Sequence, residues 1–108
     1  MLFWNTFVYA IKKKLVKLNM YKRFWFEFQI DNAFNFPAGI VIGCGVTAID
    51  TNDAINLMDR KIFHNTPMPI IKKTIENIDI HDLDQGRVIP NMAPCADRGI
   101  WFPLGYEK

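Results

Sequence analysis

Residues 40 to 63 constrain the fold more tightly than any other stretch of the chain. Ile40, Ile42, Cys44, Val46 and Ala48 alternate with Val41, Thr47 and Ile49, the period-two pattern of a strand buried on both sides. The pattern stops at the polar corner Asp50-Thr51-Asn52-Asp53. It resumes with helical spacing: Ala54, Ile55, Met58 and Ile62 fall on one side, with Leu57 beside them, and Asn56, Asp59, Arg60 and Lys61 on the other. Asp50 or Thr51 is placed to accept a bond from the unpaired first N–H groups of that helix, and Asp53 in its first turn suits the positive end of the dipole. The stretch therefore predicts a strand over 40–49 and a helix over 54–63 that packs one face on the sheet.

A chain of 108 residues, half of them hydrophobic, has room for one domain with a small core. Nine Phe, three Trp and three Tyr enlarge the apolar area that each core position buries. The net charge of +2 conceals an asymmetry. Residues 1–23 hold Lys12, Lys13, Lys14, Lys17, Lys22 and Arg23 and no acid, a charge of +6; the remainder has seven bases and eleven acids, a charge of −4. The globular part is thus expected to be acidic. Cys44 and Cys95, one in the predicted buried strand and one in a loop, read as free thiols of a reducing compartment such as the cytoplasm, with a single disulfide as the alternative. The chain has no serine, which excludes serine-based catalysis.

In residues 1–19, Trp4, Val8, Ile11, Leu15 and Leu18 recur in steps of four and three, the spacing of an amphipathic helix. The apolar run ahead of Lys12 is about half of what a bilayer crossing needs, and the lysines follow it, opposite to the order in a secretory signal. Three readings stay open: a basic helix lying on a membrane or partner, a helix docked on the domain, and a non-native extension ahead of a domain that begins at Met20. The six bases, with Trp4 and Tyr21, would also suit nucleic acid, although the acidic remainder argues against it.

Phe24, Phe26, Phe28 and Ile30 alternate with Arg23, Trp25, Glu27 and Gln29, which predicts a half-buried strand over 21–30. Asp31–Gly39 is a loop pinned by Phe34 and Phe36, and its length suits antiparallel pairing of the first two strands. Pro67 and Pro69 break the chain after the central helix. Over 70–78, Ile71, Ile75 and Ile78 have helical spacing with Pro69 at a first-turn position, so a second helix is expected, against a β preference in the isoleucine content. The tail from Asp79 to Tyr106 reads as irregular, with a short strand at 98–102 and Val88, Ile89, Met92, Trp101 and Phe102 as anchors. The expected architecture is α+β: a small antiparallel sheet of about three strands, packed by two helices and preceded by the amphipathic helix.

Leu83-Asp84-Gln85-Gly86-Arg87-Val88-Ile89-Pro90-Asn91-Met92 and Asp97-Arg98-Gly99-Ile100-Trp101-Phe102-Pro103 resemble the ending of a group of small uncharacterised bacterial proteins, and Tyr21–Gly45 is similar to their opening. That resemblance implies no activity. Small bacterial proteins of this size include the immunity partners of polymorphic toxins, an analogy at the level of size and class.

The chemical signals are sparse. Gly43-x-Gly45-x-x-Ala48 fits a dinucleotide-binding fingerprint, but that fingerprint needs a helix opening at its second glycine and an acid at the end of a parallel strand some twenty residues on. Here the strand pattern continues to Ile49, so the glycines read instead as relief of crowding, or a bulge, against a partner such as Trp25. Cys44, His64, His81 and Cys95 lack the close ligand pairs of a zinc site, and the acids of Asp79-x-His81-Asp82-x-Asp84 are not spaced as a calcium loop, so no metal or cofactor is expected. A cysteine–histidine pair, or a nucleotide at Gly43 and Gly45, is the enzymatic alternative. The favoured expectation is a non-catalytic, immunity-type module. It would dock a basic partner, such as a toxin nuclease, through Glu76, Asp79, Asp82 and Asp84 with Arg98 and Trp101 beside them.

Overall fold

The computed structural model describes residues 21–31 and 36–107. The helix expected over 1–19 and the anchoring role expected of Phe34 lie outside the described residues. Within them the chain forms one four-stranded antiparallel sheet of order β3-β1-β2-β4, from β1 (Lys22–Gln29), β2 (Cys44–Ala48), β3 (Ile70–Glu76) and β4 (Gly99–Phe102). One α-helix, α1 (Thr51–Lys61), covers one face. The mixed α+β character and the antiparallel sheet are as expected; the sheet has four strands instead of about three, and a strand stands where the second helix was expected.

β1 and β2 pair with Phe24 opposite Val46 and Phe26 opposite Cys44, so Phe24, Phe26, Phe28, Cys44, Val46 and Ala48 share the face toward α1. Ala54, Leu57 and Met58 of the helix close that core, and Ile62 and Phe63 continue it past the helix end. Burial of each of the larger side chains, Leu57, Met58, Ile62 and Phe63, contributes about 1.5–3 kcal/mol. The helix begins one turn earlier than its apolar spacing indicates. Asp50 is its cap and accepts from Asp53 N at 2.8 Å, while Asp53 Oδ2 accepts from Ile49 N at 3.1 Å, a reciprocal box that satisfies donors on both sides of the helix start.

The apolar run 40–42 does not belong to the strand. Ile40 N donates to Pro37 O and Ile42 N to Gly39 O, so residues 37–42 make two overlapping tight turns, with Gly39 and Gly43 at positive φ, and β2 starts only at Cys44. Ile40 nevertheless reaches the helix-side core, and Ile42 packs on the opposite face.

Residues 70–78, expected as a helix, form edge strand β3 and the turn that follows it. Phe28 pairs with Ile71 and Glu27 with Lys73, which leaves Lys72 unpaired in a bulge. The extra residue reverses the strand's parity. Ile71 joins the helix-side core beside Phe28, whereas Ile75 lies opposite Trp25 on the other face. No single face of β3 carries a two-residue repeat, and the four-residue gap between the isoleucines imitates a helix. Asn77, at φ 58, ends the strand, and Ile78 N donates to Arg23 O at 3.0 Å.

The sheet's second face is covered by the tail. Trp25, Trp101 and Phe102 pack there with Ile78, Leu83 and Val88, aided by the 3-10 turns Ile80–Asp82 and Ile89–Asn91. A second bulge, with Trp101 unpaired between Phe102 opposite Gly45 and Ile100 opposite Val46, turns Trp101 and Phe102 toward the same side. Their rings flank Trp25 at centroid distances of 6.1 and 5.6 Å. Glycine is required beneath them: a Cβ on Gly43 would lie 2.4 Å from the Trp25 ring, and one on Gly45 would lie 2.3 Å from the Trp101 ring. Four bonds fasten the ends of the cover to the sheet, Ile78 N to Arg23 O, Arg23 Nε to Ile78 O, Ala93 N to Trp101 O, and Thr47 Oγ1 to Cys95 O.

Gly45→Ala should therefore cost about 1–3 kcal/mol through overpacking, read as a lower urea midpoint at unchanged slope. The Asp53 carboxylate also pairs with Arg98, just before β4, with Arg98 Nε donating to Oδ2 at 2.9 Å. That hydrogen bond holds the Asp53 carboxyl below the usual carboxylate range. The stabilisation is present above the unfolded value of about 3.9 and is lost as pH falls through the lower folded value. The melting-temperature gap between wild type and Asp53→Asn should be constant above about pH 5 and close below about pH 4.

Candidate functional site

The tail lies over the sheet unevenly, and where it lifts from β1 and β3 a cleft of about 280 Å³ opens. Its floor is apolar: Trp25 and Ile75 from the strands, Ile42 from the turn before β2, and Ile78, Leu83 and Val88 from the tail. Its walls are charged, with Glu27 and Lys73 facing each other across β1 and β3, and Asp82, Asp84 and Arg87 on the tail. This combination, an apolar floor with a few polar groups directed to one place, is the usual form of a binding site. A shallower hollow of about 300 Å³ lies beyond Ile42 and Arg87, toward Phe102, Pro103 and Leu104.

Glu27 is set by the floor. Trp25 Nε1 donates to Glu27 Oε2 at 3.1 Å, and Trp25 is itself held between the two aromatic rings and the bare backbone of Gly43. Asp84 serves the tail's own geometry. Its Oδ1 accepts from Gly86 N and Arg87 N at 2.9 and 2.8 Å, its Oδ2 accepts from Arg87 Nε at 3.0 Å, and these bonds hold its carboxyl below the usual range. Asp82 is exposed, and its carboxylate makes no hydrogen bond to a described residue.

The residues expected to form an acidic docking face are only partly brought together. Asp82 and Asp84 line the cleft. Glu76 stands at the far end of β3 in an exposed ion pair with Lys22 at 2.5 Å. Asp79 caps the first 3-10 turn by accepting from His81 N at 2.9 Å, the main reason its carboxyl is held low. Arg98 is engaged with Asp53 on the helix side of the sheet's edge. Trp101 is 1% exposed, so it offers no surface to a partner; it anchors the tail, the other role its sequence context indicates, and its Nε1 has no hydrogen-bond partner among the described residues.

Gly43 and Gly45 face tryptophan rings within an antiparallel sheet, not a cleft at the end of parallel strands, which removes the geometry that a dinucleotide fingerprint needs. Cys44 lies in the helix-side core, where burial pushes its thiol far above the ordinary range, and Cys95 packs on the opposite face. Both are free thiols. His64 is exposed in the turn after α1, and the His81 side chain, 91% exposed, pairs with the Asp79 carboxylate at 2.9 Å. No group of three His, Cys, Asp or Glu side chains among the described residues is arranged to hold a metal ion. Among the same residues no helix is long and apolar enough to cross a membrane.

Glu27, Lys73 and Arg87 were not singled out by sequence patterning, since each reads as the solvated side of its segment. The one signal that could have led to that face is Trp25. Trp25 alternates with the buried phenylalanines and so stands on the nominally polar face of β1, where a ring of that size requires a cover. Compared with models of known protein families, with curated proteins and with solved structures, the chain has no match.

Proposed function

We propose that the chain is a non-catalytic protein-binding module whose partner docks on the tail-covered face of the sheet, with the cleft between Glu27 and Asp82 at the centre of the contact. The observation that carries this reading is the cleft itself: an apolar floor surrounded by charged groups, in a fold whose cysteines and histidines stand apart from it. Three carboxylates against two cations line the cleft, and the Arg87 cation is already bonded to Asp84. The complementary partner is basic, and a cationic nuclease held by an immunity-type inhibitor is one partner of that chemistry.

Asp82 is the acid to test, because its carboxylate is exposed and bonds to no described residue, whereas the Asp84 and Asp79 carboxylates hold turns together. Tagged protein should capture a basic protein from a lysate of the source cells, identified by mass spectrometry. Asp82→Lys should reduce that capture at least tenfold by opposing like charges, and added salt should weaken the wild-type complex. Asp59→Lys, on the exposed side of α1, should leave capture unchanged. Equal capture by wild type and Asp82→Lys would remove the reading.

A further inference from the structure

We infer that the cleft is a receptor for a single cationic side chain, an arginine or lysine presented by the docking protein, with the Glu27 carboxylate as its anchoring acceptor. This rests on the binding reading above and names the group that enters the site. Trp25 is 4% exposed and donates from the floor to Glu27 Oε2 at 3.1 Å. Because packing fixes the indole, the bond fixes the carboxylate, and an acceptor already ordered loses little rotamer freedom when a cation arrives. Glu27 Oε1 takes no hydrogen bond from a described residue, so one oxygen remains for the guest.

The rest of the cleft fits the remainder of such a side chain. Ile42 and Ile75, the half-buried apolar residues of the lining, provide a surface for the methylene stem, which long basic residues bury while keeping the charged head at a polar rim. Asp82 stands at that rim as a second carboxylate. An anionic guest is disfavoured, because Arg87 is turned onto Asp84 by the Nε to Oδ2 bond at 3.0 Å. Lys73, paired in register with Glu27 on the same side of the sheet, is the resident cation that a guest must compete with. Its removal should therefore strengthen binding, an effect opposite in sign to removal of Glu27.

The test is a titration of ¹⁵N-labelled full chain with blocked pentapeptides, glycine on both sides of a central arginine, lysine, citrulline or glutamate. The assigned Trp25 indole N–H resonance is the reporter. The arginine and lysine peptides should shift it saturably in the millimolar range, and the citrulline and glutamate peptides should not. Glu27→Gln keeps an acceptor for the indole but removes the charge; it should weaken arginine binding about tenfold, and Lys73→Met should tighten it. A thermal melt of each variant separates these effects from loss of fold. No saturable shift with the arginine peptide at tens of millimolar, an equal shift with citrulline, or unchanged affinity in Glu27→Gln would overturn the cation receptor. Those results leave the Asp82-dependent capture of a partner intact, so the two readings fail separately.

Discussion

β1 buries aromatic rings on both of its sides, and the structure follows from the need to cover both. Phe24, Phe26 and Phe28 point one way and Trp25 the other, all of them nearly or wholly shielded from water. A sheet with two apolar faces requires two covering layers, and the described residues include one α-helix. The second layer is therefore built from chain that lacks regular structure. It is held by four hydrogen bonds to the sheet and by Ile78, Leu83 and Val88, whose burial replaces what a helix would otherwise supply.

That substitution has a geometric consequence. A helix presents a continuous ridge of side chains, whereas a chain of 3-10 turns contacts the sheet at separate points. It touches firmly where Trp101 and Phe102 enclose Trp25, and lifts away over Ile75, where the cleft forms. The glycines at 43 and 45 belong to the same arrangement, since only residues without a side chain let two tryptophans approach β2 so closely. A pair of residues that imitates a nucleotide-binding motif is thus a packing device, and its effect on binding is indirect: it fixes the indole that positions Glu27.

Local signals were legible wherever a segment's environment is set by its immediate neighbours. The cap at Asp50, the helix after it, the antiparallel pairing of the first two strands and the short strand near Gly99 all follow from short-range spacing and turn chemistry. The misreadings share one cause. In β3 the bulge at Lys72 sends Ile71 and Ile75 to opposite faces, so periodicity indicates a helix where the chain pairs as an edge strand. In residues 40–42 three successive apolar side chains go to the helix-side core, to solvent and to the tail-side core, which no two-residue pattern encodes. Glu76, Asp79, Asp82 and Asp84 look like one acidic face because they are close in sequence. Folding divides them between an ion pair, a turn cap and the cleft.

The amino-acid sequence by itself determined that this chain forms an acidic α+β domain with an antiparallel sheet, a capped helix on one face and a tryptophan that demands a cover on the other. These are properties of hydrophobic spacing and of local backbone preference, which act over a few residues. Only the tertiary structure decided which tail residues meet Trp25, and so where the cleft lies and that Glu27, Lys73, Asp82 and Arg87 stand around it. Those positions are separated by as many as sixty residues of chain. Their meeting depends on two bulges and on close packing of rings over bare backbone, interactions that exist only once the strands are paired.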